Sequence, residues 1–396
     1  MPAPWDANTA LPWLFSPFNE TLYMWKTCVA ATLLVAALWP VPAAADDGAK
    51  KVIQDASMAM GIVGLNSMTY AGQAAAGNFG QSRTISFGLA STAIRNYVRT
   101  IDFTTPASRA SGDTQPPALV RGGPLPPMGR YSQVVNDATP AAPQQMEIWV
   151  TPWGFLKGAA ASTNPTVKTT KINGVPYKVV TWSPALKSPS GLPYKVSGYI
   201  DADNLVEHTE TWVEHPILGD THYEFFYRNY QSFNGLMVPA RISEKIIGME
   251  TLVVAIGAAL GNPPDLERRM EGPPPPAPPP PLPPAASEKL AEGVYRITGG
   301  YVSLAVEFKD HVVVLESGQS EARGLAILAE TKRIFPTKKI KYVVLTHPHF
   351  DHMAGLPPFI ADGVTILVDD NAKFFTDASL GTPRTLLGDV QAKSKK

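Results

Sequence analysis

The sequence has almost no cysteine: one residue, Cys28, among 396. That excludes an intramolecular disulfide and leaves no thiolate cluster for a structural metal. It has no surplus charge either, since 34 Lys and Arg balance 34 Asp and Glu. A nucleic-acid partner held by bulk charge is therefore not expected. The apolar run at 28–39 is short for a membrane span, and Pro40 and Pro42 close it. Histidine is scarce too, with seven in the chain, while proline is abundant at 39 residues and predicts long irregular segments.

Met24-Trp25-Lys26 supplies a charged lead, 28–39 an apolar core, and Ala43-Ala44-Ala45 an Ala-x-Ala cleavage site. Residues 24–45 thus read as a secretory signal peptide, with an uncleaved membrane anchor as the alternative and 1–23 as an upstream extension. Cleavage would remove Cys28 and leave a periplasmic or secreted chain with no stable membrane span.

Residues 46–262 read as a β-rich domain. A helix is expected over 50–68, weakened by Gly61 and Gly64, and a helix or strand over 92–101. The stretch 104–144, rich in Pro, Gly, Ala and Ser, reads as a mobile surface loop. A strand at 146–150 and a short helix from Phe155 follow. Strands at 167–172 and 177–182 flank Asn173-Gly174, and strands at 221–230 and 236–246 flank Asn234-Gly235, both hairpin signals. With 196–200, 205–213 and 251–259, these short strands predict one curved antiparallel sheet. His208, Glu210, Trp212 and Glu214 share a strand face by period-two spacing, and His215, Asp220 and His222 bracket a turn. Neither set offers enough well-placed ligands for a metal, so they read as solvated strand faces and a polar hairpin. Residues 263–287 form a proline-rich linker, stiff and extended.

Beyond it, strands at 294–298, 303–308 and 311–315 precede a helix over 320–334, with Leu325, Leu328 and Ala329 at helical spacing. A buried strand at 340–345 runs into Thr346-His347-Pro348-His349-Phe350-Asp351-His352. A short helix near Leu356, a strand at 365–368 and a helix over 372–378 follow. Ligands gather at the carboxyl ends of such strands. Residues two apart in extended chain point the same way, so His347 and His349 can reach one ion, while a turn brings Asp351 and His352 to a second position. Imidazole with carboxylate suits zinc or another borderline divalent metal.

This stretch resembles the signature of the metallo-β-lactamase superfamily of metal-dependent hydrolases. The resemblance implies His347 and His349 as ligands of a first zinc ion, and Asp351 and His352 as ligands of a second. It also implies that Asp351 helps orient a metal-held hydroxide attacking a small-molecule substrate. The family completes its site with a further His, a bridging Asp and a last His downstream. No histidine follows His352, and Asp362, Asp369, Asp370, Asp377 and Asp389 come too early to be that Asp. Residues 288–396 are therefore expected to be the first half of the catalytic domain, and this chain inactive by itself.

In the β domain, Thr211-Trp212-Val213-Glu214, Leu218-Gly219-Asp220 and Tyr230-Gln231-Ser232-Phe233-Asn234-Gly235-Leu236-Met237-Val238-Pro239 resemble outer-membrane lipoprotein carrier-like domains. The implied fold class is α+β: a curved antiparallel sheet followed by the first half of an αββα metallo-β-lactamase sandwich. The function expected is an exported metal-dependent hydrolase. The alternative is a non-catalytic envelope binding protein whose β domain takes an apolar ligand or partner.

Overall fold

A sheet with an apolar face needs helices or a second sheet to cover it, and this chain supplies both. The computed structural model describes residues 47–77, 79–80, 91–115, 128–137, 139, 142–272 and 281–394. The expected signal peptide, the upstream extension and the proline core of the linker lie outside these residues.

Helix α1 (Asp47–Ala59) leads into strands β1 (Ser67–Gly77), β2 (Ser91–Asp102), β3 (Ala107–Gln115) and β4 (Gly129–Val135). Helices α2 (Ala142–Trp149) and α3 (Pro152–Ala161) follow. Then come β5 (Thr166–Ile172), β6 (Val175–Trp182), β7 (Val196–Ile200), β8 (Val206–His215), β9 (Gly219–Phe233), β10 (Leu236–Ile246) and β11 (Met249–Gly261). The eleven strands form one sheet in the order β4-β3-β2-β1-β11-β10-β9-β8-β7-β6-β5. Sequence neighbours pair antiparallel throughout, and the β1–β11 ladder alone joins distant segments. Asn173 and Gly174 turn β5 into β6 with φ of 50° and 84°, and Asn234 and Gly235 turn β9 into β10 with 52° and 85°. Those positive values are why Asn-Gly marks such hairpins.

Helix α3 covers part of the sheet. The Thr151 side chain caps it by accepting from Gly154 N at 3.1 Å, and Pro152 sits in the first turn, where its missing N–H costs nothing. Trp153, Phe155 and Leu156 are fully buried, and Trp153 Nε1 donates to Met237 O at 3.0 Å. Truncating Trp153 to alanine would cost about 3–5 kcal/mol on this account.

The expected mobile loop at 104–144 instead contributes β3 and β4 to the sheet. The inward residues of β3 are Ser108 and Ala110, too small and too weak in strand propensity to leave an alternating apolar pattern. Arg99 Nε holds this strand by donating to Ser108 Oγ at 2.9 Å. The expected strand at 146–150 is the end of α2 and the turn after it. Met146, Ile148 and Val150 are buried and alternate with half-buried Glu147 and Trp149, which imitates a strand. The segment lies against the sheet, with Glu147 accepting from Gln133 Nε2 at 2.6 Å. The expected helix at 50–68 ends at Ala59, because Gly61 and Gly64 take positive φ.

After the short helix α4 (Leu266–Met270), strands β12 (Ala286–Ala291), β13 (Val294–Thr298), β14 (Ser303–Glu307) and β15 (His311–Leu315) form an antiparallel meander. Helix α5 (Glu321–Ile334) leads to β16 (Lys339–Val344), parallel to β15. Helices α6 (Phe350–Met353) and α7 (Leu356–Asp362) lead to β17 (Thr365–Leu367), parallel to β16. Helices α8 (Asp370–Gly381) and α9 (Val390–Ser394) follow. Both α4 and the start of β12 fall within the expected linker. Helix α5 buries only part of the face expected of it: Leu328 is inside, but Leu325 is 46% exposed and Ala329 is exposed, and Gly324, Ile327 and Thr331 are inside instead. Gly324 sets this face, because a Cβ there would lie 2.2 Å from Gly355 O.

The two sheets share a seam. Ile217, Leu218 and Ile246 pack in one apolar cluster with Val312, Ile327, Val343 and Phe359. Asp220 accepts from the backbone N–H groups of Thr385 and Leu386 at 3.0 and 2.9 Å. Arg384, in a buried ion pair with Asp389, donates to the carbonyls of Ile217 and Pro216 at 3.1 and 2.6 Å. The architecture is mixed α+β, a large antiparallel sheet followed by a smaller mixed one. Among the described residues no helix is long and apolar enough to cross a membrane.

Candidate functional site

Strands β15, β16 and β17 run parallel, so the loops after them open on one side, where sheets of this kind place their sites. Ile340 and Val343 anchor β16 in the core, and Leu345 N donates to Leu367 O at 3.0 Å. At the end of β15, Glu316 takes a left-handed φ of 70°, a conformation that costs a non-glycine residue on the order of 1 kcal/mol. That turn aims its carboxylate at the histidine loop. Oε1 accepts from Thr346 N at 3.0 Å, and Oε2 lies 2.7 Å from His352 Nδ1. Ser317 Oγ donates to His352 O at 2.6 Å, closing the loop from the other side.

The extended backbone of His349 (φ −68°, ψ 149°) caps α6, and that helix swings Asp351 and His352 back. The His347 ring lies 4.4 Å from that of His349 and 4.0 Å from that of His352, centre to centre. Asp351 Oδ2 is 3.5 Å from His352 Nε2. The four residues singled out by the sequence therefore stand together. Burial, joined by the neighbouring imidazoles of His352 and His349, holds His347 below its ordinary pKa. A neutral imidazole is the form that binds a metal.

Among the described residues, no three His, Cys, Asp or Glu side chains have donors already converged on a point that could hold an ion. The chemistry of the donor set nevertheless fits zinc. His352 engages Glu316 through Nδ1, the carboxylate–histidine arrangement that fixes a ligating ring and its tautomer. His347 Nδ1 lies 2.9 Å from Thr346 Oγ1. In both rings the other nitrogen, Nε2, is the one suited to ligation.

The motif also touches the large sheet. Phe350 N donates to Gly80 O at 3.1 Å, and the Phe350 ring packs on Phe79 and His215 at 5.6 and 4.8 Å. Sequence reasoning missed Glu316 and these contacts. A carboxylate directly after an apolar strand that neighbours the motif strand is a usable signal for Glu316. Phe79 and Gly80 carry none.

The other polar sets are not gathered into a site. His215 Nδ1 accepts from Ile217 N and Leu218 N, both at 3.2 Å, Asp220 holds the Thr385 loop, and His222 meets Glu210 at 3.0 Å. Of the later aspartates, Asp362 pairs with Lys332 at 2.6 Å, Asp369 caps α8, Asp377 pairs with Lys373 and Asp389 with Arg384.

Residues 296–376 match the model of the metallo-β-lactamase superfamily, a span that contains Glu316 and the whole histidine motif. Among solved structures, the chain is similar to a metallo-β-lactamase from Hirschia baltica, with 25% identity over 24% of this chain and 47% of that one, and a TM-score of 0.22. A DUF1329 family protein from Desulfovibrio piger has 8% identity over 57% of this chain and 98% of that one, with a TM-score of 0.33. A LolA superfamily protein from Nitrosomonas europaea has 12% identity over 54% and 94%, with a TM-score of 0.29. The chain thus spans about half the length of the metallo-β-lactamase structure it matches. No match was found among curated proteins.

Proposed function

We propose that this chain is the metal-binding part of an exported metal-dependent hydrolase of the metallo-β-lactamase kind. The observation behind the reading is the gathering of His347, His349, Asp351 and His352 at the carboxyl end of β16, inside the matched span. His347 and His349 would hold one zinc position, Asp351 and His352 a second. When bound, zinc supplies Lewis acidity toward a carbonyl or phosphoryl oxygen and makes water a stronger acid. The chain's own residues do the positioning: Glu316 would fix the His352 ring and Thr346 the His347 ring, and Asp351, beside His352, would orient a water for attack.

These four donors are enough for one tetrahedral ion, so the complete enzyme takes further donors, and this chain by itself is expected not to turn over substrate. The test is hydrolysis of lactam, thioester, lactone and phosphodiester substrates by the natural full-length protein, with and without chelator. Zinc-dependent turnover of at least one class, abolished by His347→Ala, is the expected result. Turnover that persists in that variant, or none in any class, would overturn the reading. Export is tested by sequencing the mature N-terminus, expected at Asp46.

A cavity between α2 and the large sheet favours a second, compatible reading, in which that sheet binds a ligand of its own.

A further inference from the structure

Helix α2 and the sheet border two adjoining, partly open cavities of about 250 and 190 Å3, with Glu147, Phe225 and Glu244 in their common wall. The lining is not that of a plain acyl-chain slot. Tyr70, Tyr97, Tyr131 and Tyr227 border the larger cavity beside apolar Ile242, Leu252 and Val254. Three charged side chains border it as well. Arg99 Nη2 is 3.7 Å from Glu147 Oε2, and Gln133 donates to the other oxygen of Glu147. Arg99 and Glu147 thus balance one another. Glu244 accepts from Thr251 Oγ1 at 2.7 Å and stands outside that ion pair. Burial, with the charge of Glu147 adding to it, pushes Glu244 up to about 7.

One guanidinium against two carboxyls leaves a carboxylate uncompensated in a half-buried site. Such a group is costly unless a proton or a cation joins it. Tyrosine rings lining the same cavity favour a cation through their quadrupoles. An anionic head would instead meet two carboxyls, with the guanidinium already engaged. We propose that this cavity binds an alkylammonium ligand, its cationic head against Glu244 among the tyrosine rings and its chain along Ile242, Leu252 and Val254. The proposal rests on the reading that the large sheet binds a ligand, and names the class.

The test is calorimetric titration of the full chain with n-octylammonium, n-octanol and n-octanoate, above the pH at which Glu244 ionises. The ammonium is expected to bind about tenfold or more tighter than the alcohol, with the carboxylate weakest, as one charge-assisted contact implies. Glu244→Gln, which keeps the shape and the Thr251 contact, should bring the ammonium down to the affinity of the alcohol. Octanoate binding as tightly as the ammonium, or Glu244→Gln leaving the preference intact, overturns the alkylammonium class while a ligand-binding sheet stands. Binding of none of the three overturns both. The series on the unmodified chain decides the matter even if the variant fails to fold.

Discussion

Six of the seven histidines fall into two triads, His208, His215 and His222 in the large sheet and His347, His349 and His352 in the small one. The residue type is the same and the surroundings are opposite. His208 lies stacked between Tyr199 and Phe226 at 4.6 and 4.5 Å. His215 has its Nδ1 filled by two backbone N–H groups, and His222 rests against Glu210. His208 is held by ring stacking, with a buried Nε2 that has no hydrogen-bond partner, while His215 and His222 bond to their own neighbours. Beside the small sheet the His347 ring lies within 4.4 Å of those of His349 and His352, and carboxyl and hydroxyl oxygens from Glu316 and Thr346 meet the Nδ1 atoms of His352 and His347. A histidine becomes a ligand candidate when the fold turns its ring toward other donors, and a core or surface group when the fold surrounds it with something else.

The largest expected effect breaks this contrast directly. Replacing His347 and His349 together with alanine should weaken zinc binding by about a thousandfold or more, because two of the donors are lost at once. The same pair of changes at His208 and His222 should alter it by less than about twofold, since those rings pack on Tyr199, Phe226 and Trp212 and not on the motif. Competition against a chromogenic chelator measures both. Equal losses in the two variants would mean that the motif has no special claim on the ion.

A second effect concerns stability and runs through His208. Burial, opposed by Glu210 and helped by His222, holds its pKa down to about 4, against an ordinary 6.5. The unfolded chain therefore takes up a proton first. Stability from the neutral ring is full above pH 6.5 and is lost as pH falls toward 4. The shift corresponds to at most about 3 kcal/mol. His208→Phe keeps the stack and removes the titration. It also removes a buried Nε2 with no hydrogen-bond partner, so the exchange need not destabilise at neutral pH. Denaturation midpoints across this range should fall for the natural chain and stay flatter for the variant. Parallel curves would remove His208 from the account of acid sensitivity.

How far the sequence foretold this arrangement depends on how local each signal is. The Asn-Gly hairpins were legible because two adjacent residues fix the turn, and the histidine motif because its donors lie close in sequence. Strands β3 and β4 were hidden because Ser108 and Ala110 carry no strand signature, and what holds β3 is Arg99 from a neighbouring strand. The buried face of α5 was only partly legible, with Leu328 inside as expected but Leu325 outside, because Gly324 packs on Gly355, a contact that apolar periodicity does not encode. Glu316 is the instructive case: its partner His352 comes from the loop after a parallel strand, so its role appears only once β15 and β16 are known to pair. Glu316→Gln should therefore weaken zinc binding by about 10–100-fold, the usual cost of losing an orienting carboxylate, with the Thr346 contact retained. No change in affinity would make Glu316 a structural residue of the loop alone.

The smallest effect separates a charged histidine from a ligating one. The hydrogen bond with Glu210 raises the pKa of His222 above its ordinary 6.5, and the same bond lowers that of Glu210 below 4.5. Both partners are charged between those two values. The stabilisation appears as Glu210 ionises and fades as pH rises through the folded pKa of His222. Partly exposed pairs of this kind contribute on the order of 1 kcal/mol. Trp212, itself 52% exposed, stacks on the His222 ring at 4.6 Å. Glu210→Gln keeps an acceptor for Tyr199, whose hydroxyl donates to Glu210 Oε1 at 2.8 Å, and removes only the charge. Its cost in urea denaturation should be largest between pH 4.5 and 6.5 and should shrink well above that window. An equal cost at high pH would assign the stabilisation to the Tyr199 contact, and His222 would then be a neutral surface ring beside Trp212.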